Sequence, residues 1–284
     1  MEIRPYSTIV CPIDQTPLRA EGSSLRCEKN HSFDRAREGY TNLLAVQWKG
    51  SKNPGDDADM VTARTRFLSA GLYAPIAERV VAELRPLFDS EEPARVADAG
   101  CGEGYYLRTI AALAGGGKAP LLELGGYDIS KPAVRAAAKQ GGPIAYFVAG
   151  HRHPPFAAGS VDALLSIFGF ADWASFAGLL SEDGRVITVD SGPDHLRELR
   201  EIVYPEVKET KAARFEEQAE AGFTLEAEDS LRFSFTVPSA ALLADLLSMT
   251  PHGHRAPAER KKLLLERSSL ALTGEVVLRR WRHG

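Results

Sequence analysis

The sequence predicts an α/β fold: a mostly parallel, Rossmann-like sheet with helices on both faces, preceded by a small domain that contains cysteine and histidine. Two observations support this prediction. From Arg95 onward, short β-rich runs alternate with helical patterns, which is typical of a parallel sheet. Residues 1–52 are different, because they are turn-rich and hold Cys, Asp and His at close spacings. We therefore predict two domains, residues 1–52 and residues 53–284.

The composition and charge are those of an ordinary globular protein. With 284 residues the chain can form one large domain and a small one, and three cysteines do not indicate a disulfide framework. No apolar run reaches the roughly 18 residues of a membrane span. The first residues, Met1-Glu2-Ile3-Arg4, lack the apolar core of a signal peptide, so we expect a cytoplasmic protein. A net charge of −4 argues against a strongly basic nucleic-acid binder but allows a local basic patch.

Two helices are predicted before the sheet. Residues 52–57 form a turn, and either Asp56 or Asp57 can cap a helix that continues to Ser69. A second helix is expected from Tyr73 to Phe88.

Seven runs of residues are predicted strands, and together they indicate a seven-stranded sheet. The candidate strands are residues 95–99, 121–127, 144–149, 161–167, 185–190, 231–237 and 272–282. The last two follow a helix around residues 194–204, an order that predicts an antiparallel edge.

A glycine-rich loop follows the first strand of this sheet. It reads Asp98-Ala99-Gly100-Cys101-Gly102-Glu103-Gly104, and a helical pattern from Tyr105 to Leu113 comes next. Glycines let the backbone approach a ligand closely, and the free N–H groups of a helix start favour carboxylate or phosphate. The spacing is G-x-G-x-G rather than the G-x-G-x-x-G of dinucleotide sites. Asp128 ends the second strand and is well placed for ribose hydroxyls.

The pair Asp98 and Asp128 around this loop resembles the S-adenosylmethionine (SAM) site of class I methyltransferases. The order of the predicted strands fits the sheet of these enzymes. The alternative is a glycine turn that only joins a strand to a helix, and the second acid favours cofactor binding. The fold expected from this resemblance is a class I SAM-dependent methyltransferase with a small N-terminal domain like a zinc knuckle.

The N-terminal domain carries a second constellation, Cys11-x2-Asp14-x12-Cys27-x3-His31. Structural zinc takes four ligands of N, S or O type, and this spacing is that of a knuckle with an aspartate in place of one cysteine. A segment this short cannot form a large hydrophobic core and needs an additional stabilising interaction, which favours zinc. The alternative is a degenerate knuckle in which Asp14 forms hydrogen bonds and the two cysteines are buried.

The chain resembles the large-subunit (23S) rRNA (guanine-N1)-methyltransferases over nearly its whole length. The segments Glu38-Gly39-Tyr40 and Gly192-Pro193 are the most diagnostic, because many methyltransferases share the glycine motif. The other matching segments are Cys11-Pro12, Cys27-x3-His31-x-Phe33-Asp34, Asn42-Leu43-Leu44-x-Val46-Gln47, Pro54-Gly55-Asp56, Ala63-Arg64, Phe67-Leu68, Gly71-x-Tyr73, Gly102-Glu103-Gly104-Tyr105-Tyr106, His195-Leu196, Gly222-Phe223-Thr224-Leu225 and Met249-Thr250-Pro251.

The resemblance implies specific roles. Tyr73, Gly102, Glu103 and His195 would contact SAM beside Asp98, Gly100, Gly104 and Asp128, and Cys11, Asp14, Cys27 and His31 would hold zinc. It also implies a homodimer that forms an RNA-binding cleft. The sequence departs from the family at Asp14, in the loop 46–52, which has few basic residues, and in the segment 166–173 after the fourth strand.

The segment 166–173 also supplies candidate substrate contacts. Phe168, Phe170 and Trp173 could stack on a flipped base, or they could be core residues. Asp172 could face the proton of guanine N1, although a helix N-cap is the favoured interpretation. The sequence assigns no general base. His151 and His153 after the third strand are interpreted as surface loop residues.

The function predicted is SAM-dependent methylation of a guanine N1 in large-subunit rRNA. Phosphates would be met by the basic residues on or beside the knuckle, Arg35, Arg37, Lys49 and Lys52. Two alternatives stay open: a diverged methyltransferase for a small aromatic heterocycle such as an indole, and an RNA-binding module without turnover. No membrane partner is expected.

Overall fold

The computed structural model describes residues 1–48, 50–51, 54–207 and 214–284. The strands are β1 (Glu2–Pro5), β2 (Arg19–Glu21), β3 (Ser24–Arg26), β4 (Ser32–Asp34), β5 (Thr41–Asn42), β6 (Ala94–Ala99), β7 (Leu121–Asp128), β8 (Ile144–Val148), β9 (Val161–Ile167), β10 (Leu180–Ser191), β11 (Phe223–Val237) and β12 (Leu270–His283). The α-helices are α1 (Ala58–Ser69), α2 (Ala74–Phe88), α3 (Tyr105–Leu113), α4 (Lys131–Lys139), α5 (Trp173–Leu179), α6 (Arg197–Val203), α7 (Glu216–Glu220), α8 (Ala240–Met249), α9 (His252–Arg255) and α10 (Ala258–Leu265).

The large sheet confirms the predicted fold class. Its strand order is β11-β12-β10-β9-β6-β7-β8-β5, with β1 paired to β7. All seven predicted strands are present. The neighbours among β6, β7, β8, β9 and β10 pair in parallel, whereas β12 is antiparallel to both β10 and β11. The predicted antiparallel edge is therefore confirmed.

Two strands of the N-terminal segment extend this sheet beyond the seven expected strands. β1 pairs with the first half of β7, where Glu2 lies opposite Leu121 and Pro5 lies opposite Leu124. β5 pairs with the end of β8 through Thr41 and Asn42. Segments of two to four residues are too short to show a strand period, and they form because they cover edges that β7 and β8 would otherwise expose. The two predicted domains, residues 1–52 and 53–284, therefore both contribute strands to one sheet.

The remaining N-terminal strands form a separate three-stranded sheet in the order β2-β3-β4. Both of its strand pairs are antiparallel, and Leu25 of β3 is the buried residue that they share with the protein core. Its strands β2 and β3 lie between the two cysteines of the predicted knuckle, and β4 follows directly after His31.

The helix starts follow the capping residues of the sequence. Asp57 caps α1, because its side chain accepts hydrogen bonds from the backbone N of Asp59 (3.0 Å) and of Met60 (2.9 Å). Ser130 caps α4 in the same way. Of the two acids considered for α1, the structure therefore selects Asp57.

The sheet reverses its order between β6 and β9. The chain continues from β6 to β7 on one side, and β9 with β10 lies on the other, so the loops after β6 and β9 separate. Ligands of open α/β sheets bind in this crevice, at the carboxyl ends of the strands. Within the described parts of the chain, no helix has the length and apolar character to cross a membrane.

Candidate active site and metal centre

The glycine loop between β6 and α3 lies at this crevice. Gly100, Gly102 and Gly104 all have positive φ, at 85°, 54° and 80°. Such angles are easy only for glycine. The backbone N–H groups of Gly100 and Cys101 donate to the carbonyl of Tyr127 at 2.8 and 3.0 Å, which fixes the loop to the end of β7.

The glycines of this loop differ in the space around them. A side chain at Gly104 would meet Tyr146, because an added Cβ would lie 2.5 Å from the Tyr146 hydroxyl oxygen. An added Cβ at Gly102 would approach only Arg64, whose Nη1 lies 3.5 Å away. Gly104 is therefore needed for packing, whereas the open space at Gly102 can accept a ligand.

Asp128 connects this loop to the next helix. One carboxylate oxygen accepts from the backbone N of Gly102 at 3.0 Å, and the other accepts from the backbone N of Ser130 at 2.8 Å. Burial raises the pKa of Asp128. The structure thus brings Asp128 against the glycine loop, as the sequence predicted for two neighbouring parallel strands.

Asp98 and Glu103 place unsatisfied acceptors in the crevice. Within the described part of the chain, both carboxylate oxygens of Asp98 and the Oε1 of Glu103 lack hydrogen-bond partners, and both residues are buried. The Oε2 of Glu103 pairs with Arg108 at 2.8 Å. Burial, and then the nearby charge of Asp128, raise the pKa of Asp98 to about 8. Buried acceptors without partners fit a cationic ligand that donates hydrogen bonds, as the methionine ammonium of SAM does.

Arg64 is a site residue to which sequence reasoning gave no role. Its Nη1 pairs with Asp56 at 2.6 Å, and its Nη2 donates to the carbonyl of Met249 at 3.3 Å. It lies on α1, far from the glycine motif in sequence, and its only sequence signal is the Ala63-Arg64 segment of the family resemblance. The guanidinium closes one side of the space at Gly102.

Tyr73 and His195 form a hydrogen-bonded pair across the same crevice. The Tyr73 hydroxyl lies 3.0 Å from His195 Nε2, and the backbone N of Glu275 donates to His195 Nδ1 at 3.2 Å. A neutral imidazole that accepts at Nδ1 carries its proton on Nε2, so His195 donates to the Tyr73 oxygen. Burial lowers the pKa of His195 to about 4, which keeps the ring neutral. The hydroxyl proton of Tyr73 is therefore not used in this pair and can be donated to another acceptor.

Phe168 lies beside the Tyr73–His195 pair, and Phe170 follows two residues later in the same segment after β9. The ring of Phe168 is 6.1 Å from that of Tyr73 and 5.7 Å from that of His195, centroid to centroid. Phe168 has a φ of 53°, a strained value for a bulky residue and a feature that often accompanies function. Phe170 is 89% exposed. Exposed aromatic rings at a pocket mouth suit stacking on a base.

Trp173, the third of the predicted base contacts, is a buried residue instead. The side chain is 7% exposed and packs against Trp281 and Phe223, with ring centroids 5.2 and 5.0 Å away. Its apolar area is buried between α5 and the sheet, so the structure assigns it to the core rather than to a base. Asp172 is the N-cap of α5 and accepts from the backbone N of Ser175 at 3.1 Å, which was the favoured interpretation.

The two loop histidines are less exposed than predicted. His151 is half-buried, and its Nδ1 lies 3.2 Å from the hydroxyl of Tyr127. His153 stacks on Trp48 with ring centroids 3.8 Å apart. Both therefore hold the loop after β8 in place rather than extending into solvent.

The N-terminal ligand set converges on one point. The His31 Nδ1 atom lies 3.5 Å from Cys11 Sγ, 3.4 Å from Cys27 Sγ and 3.1 Å from Asp14 Oδ2. Tetrahedral zinc with bonds of about 2.0 Å to N or O and about 2.3 Å to S separates such ligand atoms by roughly 3.3–3.5 Å. The measured separations match this geometry, so the four residues fit a zinc ion.

Asp14 substitutes for a cysteine without disturbing this geometry. Its Oδ1 accepts from the backbone N and the hydroxyl of Thr16, at 3.1 and 2.6 Å, which leaves Oδ2 facing the cluster. These hydrogen bonds hold the pKa of Asp14 far below its usual range, so the carboxylate is charged. Burial raises the pKa of Cys11 to about 11, so zinc must displace the proton of this thiol when it binds.

The predicted basic residues are only partly described. Arg35 and Arg37 are exposed beside β4, whereas Lys49 and Lys52 lie outside the described residues.

Comparisons with known proteins agree with this architecture. The model of the RlmA N-terminal zinc ribbon matches residues 9–52, and a methyltransferase domain model matches residues 97–191. The chain is 32% identical to YxjB of Bacillus subtilis over 278 residues, 95% of each chain, and that name assigns YxjB to the 23S rRNA (guanine-N(1)-)-methyltransferases.

Two relatives from other bacteria carry similar names. A 23S rRNA (guanine(748)-N(1))-methyltransferase of Streptomyces fradiae is 32% identical over 259 residues, covering 90% of this chain and 89% of its own length. A relative from Micromonospora griseorubida is 33% identical over 208 residues, 66% of this chain and 67% of its own. By its sequence, its metal-ligand set and its methyltransferase sheet, this chain belongs to the 23S rRNA (guanine-N1)-methyltransferase family.

Proposed function

We propose that this protein transfers a methyl group from SAM to N1 of a guanine in 23S rRNA. The observation that carries the proposal is the similarity to the Streptomyces fradiae enzyme, which spans 90% of this chain and therefore includes both the knuckle and the methyltransferase sheet. The glycine loop, Asp98 and the Tyr73–His195 pair add support from the geometry.

In this proposal the residues around β6 hold the cofactor. Asp98 and Glu103 accept from the methionine ammonium, the backbone at Gly102 lies against the same moiety, and Asp128 binds the ribose hydroxyls. The Tyr73 oxygen accepts a hydrogen bond from His195, and its hydroxyl proton is donated to the bound ligand. SAM supplies an electrophilic methyl group on a sulfonium, and transfer is an in-line displacement that depends on positioning in a dry site.

The aromatic residues at the mouth hold the guanine. Phe168 and Phe170 stack on the unpaired base and orient its N1 toward the buried end of the crevice. Extended single strands and loops allow such access, since a paired guanine hides N1 in the duplex.

We also propose that the protein is a cytoplasmic homodimer, as the family resemblance implies. rRNA is modified where ribosomes are assembled, and a second copy would widen the RNA-binding surface. Sedimentation at micromolar concentration should give twice the mass of the 30.8 kDa chain, and a monomer at that concentration would contradict this part of the proposal.

Mapping of N1-methylguanine tests the substrate. We expect one guanine of 23S rRNA to lose this modification in a strain without the gene, and the purified protein with SAM to restore it on a transcript. Unchanged maps together with methylation of an indole would support the small-heterocycle alternative. SAM binding with no transfer to any RNA would support the binding-module alternative.

The basic residues give a second readout that separates RNA from small substrates. Replacing Arg35, Arg37, Lys49 and Lys52 by Ala should weaken rRNA binding and leave SAM affinity unchanged, and each lost phosphate contact should reduce the log–log salt slope by about one. Full activity of this variant on indoles would contradict the rRNA assignment.

A further inference from the structure

A basic surface lies on the two short helices that follow α8. Residues 252–267 contain five Lys or Arg and two Glu, a formal charge of +3 in a chain whose total is −4. Four basic residues of these helices and the residues after them form what we call the α9–α10 surface: Arg255, Arg260, Lys262 and Arg267. Arg255, Lys262 and Arg267 are exposed, and Arg260 is half-buried.

The charges of this surface are not neutralised by ion pairs within the described parts of the chain. Among the residues that the structure describes, no carboxylate forms an ion pair with any of the four. The arginines of the long β11–β12 pair behave differently, since Arg232 and Arg279 each contact two acidic side chains. Like charges on adjacent turns repel one another, and an external polyanion would relieve that repulsion.

The surface is held rigidly on the core. Ala256 and Leu264 are buried under the two helices, at 5% and 0% exposure. Lys261 Nζ donates to the carbonyl of Gly253 at 3.0 Å, which ties α10 to α9. The Tyr204 hydroxyl lies 2.9 Å from His252 Nδ1, which ties α9 to the end of α6. Basic side chains on a fixed scaffold lose less entropy on binding than those on a mobile tail.

The same helices border the methyl-transfer crevice. Arg64, which closes the space at Gly102, donates to the carbonyl of Met249, the last residue of α8 and three residues before α9. His252 lies close enough to His195 for its charge to reinforce the effect of burial in lowering the pKa of His195. The α9–α10 surface is thus carried by helices that begin near His195, whose ring lies 5.7 Å from that of Phe168.

We infer that the α9–α10 surface binds the phosphates that flank the target guanine, so that the rRNA is held by the methyltransferase domain as well as by the knuckle. This inference rests on the proposed function. Arg and Lys are the residues that position a nucleic acid through its phosphates, without reading its sequence. The surface would act on RNA affinity and leave the cofactor site unchanged.

A pair of matched double variants tests this inference. Arg255→Gln with Lys262→Gln removes two charges from the surface. Lys118→Gln with Lys139→Gln removes two exposed charges, one from the segment before β7 and one from the last residue of α4, which precedes β8. Both residues lie toward the amino ends of these strands, on the opposite edge of the sheet. Each variant is assayed on a 23S rRNA transcript that the unmodified protein methylates, at several salt concentrations, with SAM affinity measured in parallel.

We expect the surface variant to raise the KM for RNA about tenfold, and to lower the log–log salt slope of binding by about two units, at about one per phosphate contact. Its kcat and SAM affinity should stay within twofold of the unmodified protein, as should every property of the control variant. Equal KM and salt slope in the two variants would overturn the inference and leave the proposed function intact. Absence of rRNA methylation by the unmodified protein would overturn both.

Discussion

Gly102 and Gly104 show how two residues of one motif take different roles. Both have positive φ, but the space beyond Gly102 is open and the space beyond Gly104 is filled by Tyr146. We expect Gly102→Val to abolish SAM binding while the protein stays folded. Gly104→Val should lower the melting temperature, because its side chain collides with the Tyr146 hydroxyl.

Calorimetry with SAM and thermal unfolding of both variants check this prediction. The conformational strain of a branched residue at positive φ, about 1 kcal/mol or more, is common to the two, so the comparison isolates the space that the ligand needs. Undiminished SAM affinity in Gly102→Val would remove the basis for the cofactor site.

Asp98 gives the cofactor site a pH dependence. Its pKa of about 8 means that the carboxyl is largely protonated at pH 7 in the free protein, and a cationic ligand favours the charged form. SAM affinity should therefore rise as the pH increases from 6 toward 8. The stability of the folded protein depends on pH with the opposite sign. The pKa of Asp98 is higher in the folded protein than its value of about 4 in the unfolded chain, so its stabilising contribution is fully present below pH 4. This contribution is lost as the pH rises through 8.

The control for this prediction is Asp98→Asn. The amino group of SAM itself titrates near pH 8, at the ordinary value of about 7.7–8.0 for an α-amino group, so wild type alone would mix two titrations. The variant keeps the titration of the ligand and removes that of the carboxyl. If SAM affinity changes with pH in the same way in both proteins, ionisation of Asp98 does not contribute to SAM binding.

Phe170 and Trp173 separate activity from stability. Phe170 is 89% exposed, so Phe170→Ala should reduce rRNA methylation and leave the free energy of unfolding within about 0.5 kcal/mol. Trp173 is buried against Trp281, and Trp173→Ala should cost roughly 3–5 kcal/mol through the cavity it leaves. Urea titrations and transcript methylation assays distinguish the two effects, and full activity of Phe170→Ala would exclude a stacking role.

At the scale of elements, the strands that carry an apolar core were predictable and the short ones were not. β6, β7 and β9 are buried, near-continuous apolar runs, and their predicted bounds differ from the observed ones by at most one residue. β11 extends eight residues further toward the N-terminus than the predicted run. Of its added residues only Phe223 is buried, and residues 224–230 are half-buried or exposed, so this stretch lacks the apolar signal of a core strand and depends on pairing with β12.

The knuckle is the element whose stability depends on a ligand. Purified protein should contain about one zinc per chain, and Asp14→Cys should tighten it, because thiolate is the softer ligand. His31→Ala should loosen residues 9–35 more than the large sheet, since the binding energy of the metal is local folding energy. Metal analysis and hydrogen exchange measure these effects.

Asp34→Cys is the matched control for the change at Asp14. Asp34 is an exposed carboxylate of β4 that bonds Ser24 outside the cluster, so a cysteine there should leave zinc affinity unchanged. A metal-free protein with intact protection in residues 9–35 would show that hydrogen bonds alone maintain the knuckle.

At the scale of the whole molecule, the N-terminal segment is held to the methyltransferase sheet along its length. β1 and β5 pair with β7 and β8, and the Tyr6 hydroxyl donates to the carbonyl of Ser160 at 2.6 Å. We expect removal of residues 1–52 to give an aggregating protein, because it exposes the edges of β7 and β8. Gel filtration of the truncated chain checks this, and a soluble monomer that binds SAM would contradict it.

The candidate site was predictable where chemistry and topology act locally. The carboxyl ends of parallel neighbours meet at one edge of a sheet, so Asp98, the glycine loop and Asp128 had to lie together once β6 and β7 were recognised. The ligand spacing in the knuckle is also local, since a turn brings Cys27 and His31 onto one side.

What the sequence by itself determined is therefore the fold class, the family, the glycine loop and the four candidate metal ligands, because each depends on short-range pattern. The tertiary structure decided which distant residues meet. Tyr73 and His195 are 122 residues apart and form a pair only because α2 and the turn after β10 pack over the same crevice. It also decided that Trp173 is buried while Phe170 is exposed. Spacing cannot give that distinction, because burial depends on which elements pack against each face.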